Sequence, residues 1–116
     1  MIWLALALAA TASTAPVRTA AERQTLVELA HVLGEAHALH RICAGPTDDT
    51  WRGRMQHLIE VEAPPEFLKS ELSSSFNAGF TSKDAQAKDC PAAGAAERAL
   101  SRKGAELARK LGHSGR

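Results

Sequence analysis

The sequence has no tyrosine and few aromatic residues of any kind, with only two tryptophans and three phenylalanines in 116 residues. Because aromatic side chains bury the largest apolar areas, a core with so few of them gains little from each contact. A chain of this length is enough for one small domain. The composition therefore favours a single lean domain that would benefit from an additional covalent restraint.

The sequence also lacks an excess of either charge, since 14 basic and 13 acidic residues leave a formal net charge of +1. No segment alternates basic and aromatic residues in the way that base-stacking proteins do. These absences argue against nucleic acid as a partner, and no motif predicts a cofactor.

The first ten residues, MIWLALALAA, contain no charged side chain. An apolar stretch that leads into the A-x-A pattern Ala10-Thr11-Ala12 is typical of a secretory signal peptide, although the usual basic start is missing. The alternative is an uncleaved membrane anchor, which is less favoured because the run is shorter than the ~20 residues of a membrane span. We predict a signal peptide over residues 1–12, ending at Ala15 at the latest, and a periplasmic or secreted mature chain without a transmembrane span.

The chain has only two cysteines, Cys43 and Cys90, and neither is near the expected cleavage site. In an exported protein an even number of cysteines favours a disulfide. Closing the loop between Cys43 and Cys90 would disfavour the unfolded chain by roughly 4 kcal/mol in the loop-entropy model. A Cys43–Cys90 bond would therefore supply a large part of the stability of a lean domain.

Four stretches show helical periodicity, and no strand-like alternation, internal repeat or long linker is present. The capping-box pattern Thr19-Ala20-Ala21-Glu22 predicts a first helix from about Ala20, and Gly45-Pro46 predicts its end. The other helices are predicted from about residue 50 to Pro64, from Pro65 to about Thr81, and from Pro91 to Gly112. We predict an all-α domain over residues 19–112, most simply a small bundle of four helices, with a loose tail over residues 113–116.

Charge is unevenly distributed along the chain. Residues 47–72 are mainly acidic, whereas residues 91–116 carry six basic residues against Glu97 and Glu106. Either these solvated faces complement each other, or the basic C-terminal helix contacts an anionic lipid or polysaccharide surface.

Three histidines interrupt the apolar pattern of the first helix, in the stretch LVELAHVLGEAHALHRIC. At about 100° per residue, His37 and His40 fall inside the apolar arc, whereas His31 falls opposite, beside Glu35. Both arc histidines could pack in the core with hydrogen-bonded rings, form a pH switch, or act in acid/base or Cys-His catalysis. They could also bind a metal with Cys43, although no Cys-x-x-Cys or His-Glu-x-x-His motif is present.

Among the glycines inside predicted helices, Gly34 and Gly79 lie beside large apolar residues of their helices. Glycine at position 34 destabilises a helix by about 1 kcal/mol relative to alanine. The close approach of another helix would explain why glycine is present there. In the motif SFNAGF, either Gly79 lets a neighbour pack closely while Asn77 caps a backbone group, or the pair is a recognition site.

The segments LAHVLGEAHALHRIC, TWRGRM, VEAPPEF and SFNAGF, together with Cys90, resemble a family of small exported alphaproteobacterial proteins of unknown function. The resemblance covers about Gln24 to Leu111, and it departs from the family at His40-Arg41-Ile42, where the family is more variable. It implies an envelope location and a cysteine pair compatible with a disulfide, but no activity.

The function favoured by the sequence is a non-enzymatic, disulfide-stapled helical module that binds an envelope protein or cell-wall component. The alternative is a small envelope enzyme or metal-binding protein that uses His37 and its neighbours. We expect Glu62 and Asn77 to supply hydrogen bonds to the His37 ring. The candidate binding or structural polar site therefore comprises Glu35, His37, Glu62 and Asn77.

Overall fold

The computed structural model describes residues 17–86 and 88–113 and contains four α-helices. Their bounds are α1, Ala20–Ala44; α2, Thr50–Glu62; α3, Glu66–Phe80; and α4, Cys90–Lys110, with one 3-10 turn at Lys83–Ala85. The described residues contain no strand, so the predicted all-α bundle is confirmed. The predicted signal peptide, residues 1–12, lies outside the described residues.

The first helix begins and ends where its sequence signals predict. The Thr19 hydroxyl accepts a hydrogen bond from the Glu22 amide at 3.1 Å, and the Glu22 carboxylate accepts one from the Thr19 amide at 2.9 Å. At the other end Gly45 has a positive φ of 104° and its amide donates to the Arg41 carbonyl. This capping satisfies amides and a carbonyl that the helix itself leaves unpaired.

The remaining helix ends differ from prediction by one or two residues. Pro65 precedes α3 as its N-cap instead of being its first residue. Cys90, one residue before the predicted Pro91, begins α4, because the Asp89 side chain accepts from the Ala92 amide and caps the helix there. The segment between α3 and α4 contains the 3-10 turn, which buries Ala85.

The central element is α1, against which each of the other helices packs. Its buried face carries mostly aliphatic residues: Leu26, Leu29, Ala30, Val32, Leu33, Ala36 and Leu39. Because α2 and α4 both rest on α1, their outer surfaces form the two sides of a groove described below.

The crossing of α1 and α3 explains Gly34 and Gly79. A Cβ atom at Gly34 would lie 1.9 Å from the Phe76 carbonyl oxygen, and one at Gly79 would lie 2.1 Å from the His31 carbonyl oxygen. Only glycine permits this backbone approach, so the packing interpretation of both residues is confirmed.

A disulfide joins Cys43 at the end of α1 to Cys90 at the start of α4, with the two Cα atoms 5.1 Å apart. The predicted pairing is therefore confirmed. Within residues 17–86 and 88–113, none of the helices combines the length and apolar character needed to cross a membrane.

Candidate binding groove

His37 is a core residue, with 1% of its surface exposed. Its ring lies between two phenylalanines of α3, with centroid distances of 5.7 Å to Phe76 and 5.2 Å to Phe80. Neither ring nitrogen has a hydrogen-bond partner among the described residues. Burial, followed by the nearby charges of Arg41 and Arg52, lowers the pKa of His37 below its ordinary value, so the ring is held neutral.

The hydrogen bonds expected for His37 are therefore absent, which corrects the sequence-based prediction. Asn77 is exposed on α3, and Glu62 is bonded to other residues. Glu35 instead lies 2.9 Å from the His31 ring, as a surface pair one turn apart on α1. Hydrogen bonding thus does not join the four predicted polar residues into one site.

Glu62 is buried at the end of α2 within a polar cluster that links both ends of the domain. Arg18 donates two hydrogen bonds to its carboxylate, at 2.8 and 2.7 Å, and His113 Nε2 lies 2.6 Å from it. Burial alone would raise the pKa of Glu62, but the hydrogen bonds from Arg18 and His113 outweigh it and lower the pKa. This cluster was not predicted from the sequence, because Arg18 lies just outside the predicted domain and His113 lies in the predicted tail.

His40 lies at the edge of the core and is flanked by carboxylates from other parts of the chain. Its Nδ1 is 3.0 Å from Glu97 of α4, and its Nε2 is 3.3 Å from Asp48 before α2. The indole N–H of Trp51 also donates to Glu97, at 3.1 Å. This network joins α1, α2 and α4, which indicates a role in positioning the helices.

The metal interpretation of this helix has no support in the described residues. Cys43 is bonded to Cys90 and has no free thiolate. In residues 17–86 and 88–113, no three His, Cys, Asp or Glu side chains are grouped so that they could hold a metal ion.

A groove with a volume of about 580 Å³ lies between α2 and α4. It is larger than two other concavities of the described residues, one beside Lys103 and one beside Phe67, which measure about 390 and 340 Å³. Leu29 and Leu33 of α1 form the floor of this groove. Its walls are formed by Thr50, Trp51, Gly53, Arg54, His57, Leu58 and Val61 of α2 and by Ser101, Gly104, Ala105 and Ala108 of α4, with His113 at one end.

The walls of the groove carry little side-chain bulk. On α4 the side chains are small, and on α2 a Cβ atom at Gly53 would meet nothing within 4 Å. Val61, at the edge, is 42% exposed. A groove with an aliphatic floor and small wall residues can accept an apolar partner at close range.

The lining of the groove contains no acidic residue. The Arg54 guanidinium lies 4.2 Å from the centre of the Trp51 ring, which fixes it over the wall by a cation–π contact. The ring nitrogens of His57 and His113 are further polar groups in the lining of the groove. The lining thus offers apolar contact and hydrogen-bond donors, but no carboxylate for acid/base or metal chemistry.

No motif in the sequence predicts this groove. The only signal was the spacing of Ser101, Gly104, Ala105 and Ala108 on one side of α4, which in an Ala-rich helix is not distinguishable from helix-forming composition.

A family model described as a protein of unknown function (DUF2385) matches residues 22–114, a range that includes α2, α3, α4 and all but the first two residues of α1. No curated protein and no solved structure matches the chain.

Proposed function

The chain belongs to the DUF2385 family of proteins of unknown function, and we propose that it is an exported, non-enzymatic binding module of the cell envelope. Its binding site is the groove between α2 and α4. The partner is an envelope protein.

The Cys43–Cys90 disulfide supports the exported location, because such bonds persist in oxidising compartments. The apolar leader with its Ala10-Thr11-Ala12 pattern supports it independently. The mature chain then begins near Ser13.

The observation that carries the binding role is the groove of about 580 Å³, which is lined mainly by apolar and small side chains. This volume is within the range of protein ligand sites. Val61 at its edge is 42% exposed, and an exposed apolar side chain beside such a concavity favours contact with a partner.

The enzymatic alternative needs His37 to reach a substrate. Its ring is 1% exposed and enclosed by Phe76 and Phe80, which supports a packing role instead.

Blocking the groove tests this function. Ala105→Trp fills the α4 wall, and Ala99→Trp is the matched control, since Ala99 is exposed on the same helix and does not line the groove. The tagged proteins are isolated from the native envelope, and their partners are quantified by mass spectrometry after circular dichroism has established folding.

We expect A105W to lose a partner that wild type and A99W retain at equal yield. Should A105W fail to fold, Gly53→Trp blocks the opposite wall at a position with free space, with Gln56→Trp as its control. A folded groove variant that keeps every wild-type partner would refute the proposal.

A further inference from the structure

We infer that the partner presents an amphipathic α-helix with a leucine-like apolar stripe and acidic flanks, and that this helix lies lengthwise in the groove. This inference rests on the proposed function and specifies the partner for the same site.

The dimensions of the groove suit a short helix. Its α2 wall extends from Thr50 to Val61 and its α4 wall from Ser101 to Ala108. At 1.5 Å of rise per residue these walls measure roughly 16 and 10 Å, which corresponds to two to three helical turns. Helix-in-groove recognition uses anchors at this spacing.

The floor of the groove is complementary to an apolar stripe. Leu29 and Leu33 are four residues apart on α1 and therefore lie along one line, with Leu58 beside them on α2. The two α1 leucines are recessed, with 4% and 7% of their surfaces exposed. A flat lipid surface could not reach them, whereas side chains projecting from a helix could.

Basic residues lie along the outer edge of the α4 wall. Arg98, Arg102 and Arg109 fall within roughly 60° of the wall residue Ala105 on the helix, on the side away from the core. All three are exposed, and none forms an ion pair with a carboxylate in the described part of the chain. We call these residues the arginine edge.

The opposite wall carries Arg54, and the groove lining contains no acidic residue. A bound helix would therefore have cationic side chains on both sides. Because guanidinium groups form forked hydrogen bonds with carboxylates, the arginine edge favours glutamate or aspartate on the flanks of the bound helix.

The test uses two synthetic peptides of about 18 residues, long enough to populate a helix. They share one leucine stripe and differ only in flanks, which are glutamate in one and lysine in the other. Binding of each labelled peptide to the full chain is measured by fluorescence anisotropy at low and high salt. Binding to phosphatidylglycerol vesicles tests whether a lipid surface occupies the groove. Sedimentation equilibrium tests whether a second copy of the chain does.

We expect the glutamate peptide to bind about tenfold more tightly than the lysine peptide, as three exposed charge pairs would produce, and we expect salt to reduce this preference. The double variant R102E/R109E should lose the preference. The variant K103E/K110E has the same change in net charge on the same helix but away from the groove, and it should retain the preference.

Equal binding of both peptides, or no binding of the glutamate peptide, would overturn the inference. Vesicle binding that A105W leaves unchanged would overturn it in favour of a lipid surface, and a dimer that A105W dissociates would do so in favour of a second copy. The proposed function fails separately, if A105W keeps every envelope partner.

Discussion

Replacing His37 with leucine is expected to stabilise the protein by about 0.5–5.5 kcal/mol at neutral pH. Both ring nitrogens are buried without a hydrogen-bond partner in the described residues, and each unsatisfied buried polar group costs about 1–3 kcal/mol. Leucine removes both polar atoms at similar volume. It also removes the contacts of the imidazole with Phe76 and Phe80, an opposing loss of about 0.5–1.5 kcal/mol.

The same substitution should weaken the dependence of stability on pH. Because the pKa of His37 is lowered in the folded protein, the unfolded chain binds the proton first as the pH falls below about 6.5. The free energy of unfolding of wild type therefore decreases from that pH down through the folded-state pKa. H37L lacks this decrease, so its advantage should grow between pH 7.5 and pH 5.

Urea unfolding followed by circular dichroism at these two pH values measures both effects. His31→Leu is the control, since His31 lies on the surface of the same helix, and it should change stability at pH 7.5 by less than about 1 kcal/mol. If H37L were destabilised at pH 7.5, or if its advantage did not grow at pH 5, the assignment of a neutral, unpartnered core histidine would be wrong.

Three further substitutions test the fold. Cys43→Ala should lower the free energy of unfolding by about 2–4 kcal/mol, and reduction should bring wild type to the same urea midpoint; an unchanged midpoint would contradict the disulfide's role. Gly34→Ala should lower the free energy of unfolding by at least about 2 kcal/mol, because its Cβ would overlap a carbonyl oxygen. Gly53→Ala is the control and should raise it by up to about 1 kcal/mol, because its Cβ would have free space. Equal thermal melts of the two variants would refute the close crossing of α1 and α3. Glu62→Gln should cost about 3 kcal/mol at pH 7, because Arg18 loses the buried one of its two carboxylate partners and retains only the more exposed Glu22. Because folding lowers the pKa of Glu62, its contribution to the free energy of unfolding is present above the ordinary pKa of about 4.5 and is lost as the pH falls through the folded-state value. In an acid titration E62Q should therefore lose stability less steeply than wild type.

Local signals in the sequence predicted the helices well. The Thr19-to-Glu22 capping box and the Gly45-Pro46 stop depend only on residues within a few positions of each other, and their geometry follows from backbone hydrogen bonding. The disulfide was predictable because the chain has only two cysteines.

Side-chain partners that are distant in sequence were not predictable in the same way. Glu62 was expected to face His37, but it pairs with Arg18, 44 positions earlier, and with His113, 51 positions later. These contacts depend on how the bundle brings its two ends together, which no local pattern specifies. The His37 ring illustrates the same point, since the sequence pattern placed it in the core but could not show that its nitrogens have no partner there.

The groove was unpredictable for a related reason. It exists because α2 and α4 both pack on α1 and leave a gap above Leu29 and Leu33, and that gap is a property of helix arrangement. Periodicity identified the apolar face of α1 but did not indicate which part of it a neighbour leaves uncovered.

The most direct test of the binding site places a photo-crosslinking amino acid at Ala105 in the groove and, separately, at Ala99 on the outer face of the same helix, in the native host. After irradiation, adducts are identified by mass spectrometry. We expect position 105 to give one discrete adduct with an envelope protein, which Gly53→Trp abolishes, and position 99 to give none. Adducts that are the same at both positions, or that persist in G53W, would contradict the assignment of the groove as the binding site.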